Sequence, residues 1–440
     1  MASLAGMAFT GSGRITMDDR AFLTALFEAA VEAAHPLAAM RSHLPARPKG
    51  RTIVVGAGKA AARMAQALES LVDWPISGVV VDRHGAQAAT RHIKVFHAAH
   101  PVPDRAGHSA SQALLRAVEG LTADDLVIAL ISGGGSALLP CPAPGLSFEG
   151  EAAATRALLA SGAPVDAMNA IRIQISGIKG GRLAKAAAPA KVVSFIVSDV
   201  VGDDPALVAS GPTVPGQAGA TEALAAIEQY RIELPATVRA HIEAGTTPPP
   251  PADDPAFARN EVHIIASARV SLEAAARRAE ALDVTPVILS ENIEGEARDI
   301  GRMHAALARE FARGASPYPF PLVLLSGGET TVTLGNDSSG RGGRNGEFLL
   351  SFACDIAGMD GIQALAADTD GIDGSEDNAG AFADGASFER MIAAGLNPRA
   401  SLARHDAWTA FNAAGDLFVT GQTGTNVNDF RAILIGSGHR

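Results

Sequence analysis

Hydrophobic positions recur along this chain in two rhythms. Short continuous apolar runs, bounded by glycine or by a charge, alternate with stretches whose apolar residues return every three or four positions. The first rhythm predicts buried strands and the second amphipathic helices. Thr52-Ile53-Val54-Val55 reads as a buried strand, Gly56-Ala57-Gly58-Lys59 as a turn, Ala60 to Leu71 as a helix, and Gly78-Val79-Val80-Val81 as the next strand. That is a βαβ unit, which implies a right-handed crossover and a parallel sheet. Further strands are predicted over Leu126 to Ile131, Lys191 to Val197, Val262 to Ala266, Thr285 to Leu289, Leu322 to Leu325 and Gln363 to Ala367. Helices are predicted over Asp18 to Ala39, Ala106 to Glu119, Ser271 to Leu282 and Glu294 to Arg313. The fold class is therefore α/β. Gly245 to Asp254, with its four prolines, predicts a stiff linker between two halves.

Two of the strands end alike. VIALISGGGSALL (127–139) is echoed by VLLSGGETTVTL (323–334). Glycines just past a strand let the backbone approach a ligand and turn its N–H groups toward an anion. Phosphate contacts are accordingly expected from Ser132, Gly133, Gly134, Gly135 and Ser136, from Gly327 and Gly328, and from Gly56 and Gly58. The loop that follows the second echo carries Arg341 and Arg344, whose planar guanidinium forks match phosphate or carboxylate. The plainer readings are ordinary tight turns and a solvated hairpin loop.

Gly56-x-Gly58-x-x-Ala61 also resembles a dinucleotide fingerprint, with Asp82 near the place of a ribose-binding acid. Lys59 does not suit that reading, because a helix N-terminus already neutralises a pyrophosphate. Of the 36 lysines and arginines only six are lysine, so a lysine kept in a glycine turn stands out. Lys59 and Lys179 are the two that qualify, and Arg172 and Arg182 flank the latter along one segment. His97 and His100 lie beside the rigid His100-Pro101-Val102-Pro103-Asp104 loop and read equally well as catalytic or structural. Carboxylates past strand ends suit Mg²⁺, a hard cation that takes oxygen ligands and water. Asp199 is the first candidate, with Glu329 and Asp370 behind it; a turn or helix cap is the competing reading for Asp199.

At 440 residues, 47% hydrophobic and 19% charged, the chain can build more than one core. A formal net charge of −11 with no basic run argues against nucleic-acid binding. Cys141 and Cys354 stand far apart without metal spacing, which fits a reducing cytoplasm. No apolar run reaches membrane length and no signal peptide is evident. Residues 1–15 read as a tail, with Met17 as an alternative start.

Taken together, GAGKA, HPVPD, SGGGSALL, IKGGRLA, SDVVGDDP, ASGPT (209–213), LSGGETTVTL, GRGGRNGE, DTDGIDG and GQTGTNVND resemble the glycerate kinases that carry a C-terminal MOFRL domain. The resemblance spans about 20 to 435. It implies a Rossmann-like N-terminal domain with a parallel sheet over 18–245 and a smaller α/β region over 257–436. The MOFRL domain would occupy about 320–436, with the active site in the interdomain cleft. It implies transfer of the γ-phosphoryl of ATP, with Mg²⁺, to D-glycerate, most often at the 2-hydroxyl, and no nucleic-acid or membrane partner. Lys59 and Arg344 map onto the family's catalytic lysine and arginine, and substrate contacts are expected from Lys179, Arg341 and Asn345. A homodimer stays open. The departures are Gly346, where the family has glutamine, and Gln174, where it has a basic residue or histidine. The rival readings are an NAD(P)H-dependent hydroxypyruvate reductase, a label some relatives carry, and a non-catalytic sugar-acid-binding regulator.

Overall fold

The structure, a computed structural model, describes residues 8–9, 15–16, 18–86, 88–334 and 340–436. The expected tail over 1–15, the alternative start at Met17 and the segment 335–339 before the arginine loop fall wholly or mostly outside these. The chain divides into two compact units, Pro36–Ser267 and residues 1–35 with Ala268–Arg440.

In Pro36–Ser267, six strands form one parallel sheet: β1 (Thr52–Ala57), β2 (Ser77–Arg83), β3 (Ile93–Ala98), β4 (Leu126–Ser132), β5 (Lys191–Val197) and β6 (Glu261–Ala266). Their order is β3-β2-β1-β4-β5-β6, that of a doubly wound Rossmann-type sheet. Both faces of a parallel sheet must be covered, which is why the central strands read as unbroken apolar runs. Val55, Ala57, Ala129 and Ile131 share one core with Ala110 and Leu114 of the helix Arg105–Ala117. That helix starts where Asp104 accepts a hydrogen bond from Gly107 N (2.8 Å). The order reverses between β1 and β4, so their C-terminal turns lie side by side at the switch point, the usual ligand crevice of such sheets.

The other unit holds a mixed sheet of β7 (Thr285–Glu296), β8 (Leu322–Thr331), β9 (Ile362–Asp368), β10 (Gly380–Asp384), β11 (Leu417–Phe418) and β12 (Asp429–Ile435). Its order is β11-β10-β9-β12-β8-β7, with only β7 and β8 parallel. Alternate residues of β8 feed two cores. Leu322 and Leu324 pack with the helices Ala297–Glu310 and Arg344–Asp355, while Val323 and Leu325 pack with the helices Asp19–Ala33 and Ala268–Glu280. Phe22 and Phe27 of Asp19–Ala33 are both buried in the second core, and burying one such ring contributes about 1.5–3 kcal/mol.

The division therefore differs from the expected 18–245 and 257–436. The first helix packs with the second sheet because its apolar stripe faces β8, β9 and β12. The proline-rich stretch lies inside Pro36–Ser267, since it leads through Pro255–Phe257 into β6, which pairs with β5 at the edge of the first sheet. Among the described residues no helix is long and apolar enough to cross a membrane.

Candidate active site

The two turns at the switch point have opposite hydrogen-bond states. In the turn after β1 every amide already has a protein acceptor. Gly58 N donates to Val81 O (3.2 Å), Lys59 N to Gly133 O (2.9 Å), and Ala61 N to Gly58 O (3.1 Å). Ala60 N donates to Ser132 Oγ (3.0 Å) and Ala62 N to Asp82 Oδ2 (3.0 Å). Asp82 also accepts from Arg83 N, is buried, and is pushed above the usual carboxylate range by that burial. It caps a helix and is not free to meet a ribose. Gly56 and Gly58 were expected to bind phosphate, but they serve close packing. A Cβ on Gly58, where φ is +135°, would stand 2.1 Å from Ser132 Oγ.

The turn after β4 is open. Among the described residues no acceptor is paired with the amides of Gly133, Gly134, Gly135 or Ser136. Gly134 is left-handed (φ 77°), which bends these successive N–H groups into a concave, anion-binding arrangement. Lys59 and His100 border it: a Cβ on Gly134 would meet Lys59 Cε at 3.0 Å and His100 Nε2 at 3.1 Å. Asp199 packs its carboxylate against Gly133. Beside them opens a cavity of about 130 Å³, lined by His100, Ser136, Arg172 and Asp199 and walled by Pro101, Leu159, Val165 and Leu207.

Lys59, Arg83 and Arg172 set positive charge around His100, and Asp199 adds a carboxylate to the same lining. Burial first, then the charges of Lys59, Arg83 and Arg172, push His100 down to about 4, so it is neutral at pH 7. Burial lowers Arg172 to about 10, which leaves it a cation. No carboxylate of the described residues forms an ion pair with Lys59 or Arg172. Arg172 is instead held by Asn169 Oδ1 (3.2 Å), and Asn169 in turn bonds Leu207 O and Ser210 Oγ. Ala209 and Ser210 adopt left-handed φ of 54° and 60°, a strain that clusters at functional sites. Lys179 is not part of this. It was expected to touch substrate, but its ammonium is buried against Glu151 Oε1 (3.1 Å) and Leu139 O (2.7 Å), a structural pair.

The second sheet gathers the remaining candidates. Gly327 and Gly328 were expected in an anion loop; they lie inside β8, paired with β12 on one side, and Gly328 with β7 on the other. Their amides belong to a ladder, so the echo with residues 127–139 is one of sequence only. Arg344 was expected to meet an anion. Its guanidinium bonds Asp429 Oδ1 (2.6 Å), Glu329 Oε1 (2.9 Å) and Asp368 Oδ2 (2.9 Å), which leaves two of its five N–H donors unmatched. Asn345 is buried, donating to Asp429 Oδ1 (2.8 Å) and through its backbone to Asp373 Oδ1 (2.9 Å). Arg341 stays half exposed, paired with Glu376 and lying over the Trp408 ring at 3.7 Å. Burial and the neighbouring Asp370 charge push Asp368 up to about 8. Asp370 itself accepts from Ile372 N (2.8 Å). Among the described residues no group of three or more His, Cys, Asp or Glu is arranged to hold a metal ion.

Comparison with known proteins bears on this geometry. The profile of a domain of unknown function, DUF4147, matches residues 22–243, and that of the MOFRL family matches 322–429. A protein of Agrobacterium vitis bearing the provisional name hydroxypyruvate reductase is 48% identical over 97% of both chains. The glycerate 2-kinase of Pyrococcus horikoshii is 37% identical over 88% of both. A crystal structure of glycerate kinase from Thermotoga maritima superposes with a TM-score of 0.86 at 35% identity, covering 94% of this chain and 98% of that one. The chain belongs to the MOFRL-type glycerate kinase family. Of its two departures from that family's pattern, Gln174 is buried and donates to Ala218 O (2.9 Å), away from the cavity lining. Gly346 donates its amide to Asp373 Oδ2 (2.7 Å). Sequence reasoning missed Arg172 in the cavity lining of the first unit and, in the second unit, Asp368 and Asp429 as the partners of Arg344. In the sequence Arg172 shows only its spacing along the segment that holds Lys179 and Arg182.

Proposed function

We propose that this chain transfers the γ-phosphoryl group of ATP to D-glycerate, at the 2-hydroxyl, giving 2-phosphoglycerate and ADP. One observation carries the reading: the amides of 133–136 are open beside Lys59, while the neighbouring dinucleotide-like turn has no free amide and no free acid. The first arrangement suits a phosphoryl group and the second does not suit NAD(P)H. The kinase names of relatives covering most of the chain support the same choice.

Phosphoryl transfer passes through a loose transition state with charge spread over three equatorial oxygens, so catalysis is positioning plus charge stabilisation. The four amides and the Lys59 ammonium are donors fixed in advance where that charge would sit. As the glycerate oxygen bonds to phosphorus and the bridging oxygen of ADP leaves, the hydroxyl proton needs an acceptor. His100, neutral at pH 7 and bordering the turn, offers a ring nitrogen for it. Mg²⁺ bound with ATP supplies neutralisation of the phosphate oxygens. Such an ion keeps most of its waters and takes one or two carboxylates, so Asp199, whose carboxylate packs against Gly133 of the open turn, would hold it without a larger cage; Glu329 and Asp370 belong to the other unit. We place the protein in the cytoplasm, a reading supported by two buried, unpaired cysteines.

Proton-coupled ³¹P NMR of the product tests both reaction and position. A phosphate on the 2-oxygen neighbours one carbon-bound hydrogen and gives a doublet; on the 3-oxygen it neighbours two and gives a triplet. We expect the doublet. A triplet moves the reaction to the 3-hydroxyl, and no new phosphate ester removes the kinase reading.

A further inference from the structure

The cavity beside the open turn is lined by two polar side chains that the phosphoryl chemistry does not use, Arg172 and Ser136. Their hydrogen-bonding character follows from counting protons. Arg172 can only donate, and its Nη1 points at Asn169 Oδ1 (3.2 Å). That contact fixes the Asn169 amide, since the flipped form would set two donors face to face, and Nδ2 then donates to Leu207 O (2.9 Å). The Oδ1 also takes the single proton of Ser210 (2.8 Å). Ser210 Oγ has no proton left for Ser136 Oγ at 2.7 Å, so Ser136 donates to it. Ser136 thus keeps lone pairs and no hydrogen. The cavity presents a fork of cationic donors at one place and an acceptor-only hydroxyl at another.

We propose that this pair reads the substrate: Arg172 takes the carboxylate, and Ser136 accepts a hydrogen bond from the hydroxyl that is not phosphorylated. The inference rests on the kinase reading above and adds to it the orientation of the acceptor. With the 2-oxygen as nucleophile toward Lys59 and His100, the hydroxyl at Ser136 is the 3-hydroxyl. Asn169 and Ser210 position the pair, and the left-handed backbone at Ala209 and Ser210 sets Ser210 where it can do so. On the side walled by Leu159, Val165 and Leu207 a longer sugar acid finds no polar partner, which favours three-carbon hydroxy acids.

The test compares D-glycerate with D-lactate, which keeps the carboxylate and the 2-hydroxyl but lacks the 3-hydroxyl. A site built to bond a hydroxyl rejects the analogue without it by large factors, so wild-type enzyme should prefer glycerate in kcat/KM by about a hundredfold or more. In Ser136→Ala that preference should shrink to about tenfold or less, a change that a merely structural role would not produce. Arg172→Gln should raise the KM for glycerate by at least roughly tenfold, as expected for losing a charge-assisted bond, with a smaller effect on kcat. Glyceramide, in which the carboxylate becomes a neutral amide, should be discriminated against by wild type and much less by Arg172→Gln. If wild type phosphorylates glycerate while both variants keep the wild-type preferences and KM, this inference falls and the kinase reading stands. Wild type that phosphorylates neither acid sinks both.

Discussion

Lys59 and Arg344 are both cations close to a strand end, yet their surroundings give opposite consequences for removing them. Lys59 has no acidic partner among the described residues, so Lys59→Ala leaves no charge stranded, and on the proposed reaction it takes away a transition-state contact. Turnover should fall by about a hundredfold or more, with the thermal unfolding midpoint nearly unchanged. Arg344 holds Asp429, fully buried, and Asp368 in place. Arg344→Ala leaves Asp368 without its cation and Asp429 with Arg431 as its remaining one, and should cost about 1–3 kcal/mol in urea unfolding as well as activity. An unaltered midpoint in Arg344→Ala would show that the carboxylates do not need it. Lys59 was legible in the sequence because a glycine turn after a strand is a local signal. Lys179 gave the same local signal, but Glu151, 28 residues upstream, claims it. Arg172 was not legible as a site residue for the converse reason: what distinguishes it is the absence of a partner, which no window of sequence displays.

Whether a strand ends at its glycines is decided by its neighbours. Ser132-Gly133-Gly134 turns away after β4, whereas Ser326-Gly327-Gly328 continues because β7 and β12 flank it. The apolar runs of β1, β4, β5 and β8 were readable since burial on two faces writes them in consecutive residues. β12 was not, because Asp429 and Arg431 interrupt its run and pair with each other deep inside. The helix Ala297–Glu310 makes a similar internal contact with β8, through His304. Its Nε2 lies 3.0 Å from Ser326 Oγ and its Nδ1 2.9 Å from Ile300 O. Burial, aided by the Arg431 charge, pushes His304 down to about 4. The unfolded chain therefore binds a proton near pH 6.5 that the folded one refuses until about pH 4. His304 contributes its full share above 6.5 and loses it as pH falls across that window, an effect of about 3 kcal/mol. Replacing it by Gln should flatten the fall of unfolding free energy between pH 6.5 and 4. A slope equal to wild type would place the acid sensitivity elsewhere.

At the scale of the molecule, the α/β class and the first sheet's strands were mostly visible in the hydrophobic pattern, while the division of the chain was not. An amphipathic helix shows that it covers a sheet and not which one, so Asp19–Ala33 gave no sign that it belongs with β8, β9 and β12. A proline run shows stiffness and not a boundary, and here it carries the chain to the edge strand β6. The same ambiguity attends the glycine fingerprint at Gly56, whose pattern fits a dinucleotide site and whose amides are all taken. On the proposed reading, chemistry resides at the open turn after β4 and is phosphoryl transfer. That reading is tested most directly by one preparation assayed two ways, for ADP formed from ATP and D-glycerate, and for NADH or NADPH oxidised with hydroxypyruvate. Glycerate-dependent ADP release, lost in Lys59→Ala, with no nucleotide oxidation is the predicted result. Hydroxypyruvate-dependent oxidation of NADH or NADPH without ADP release would contradict it.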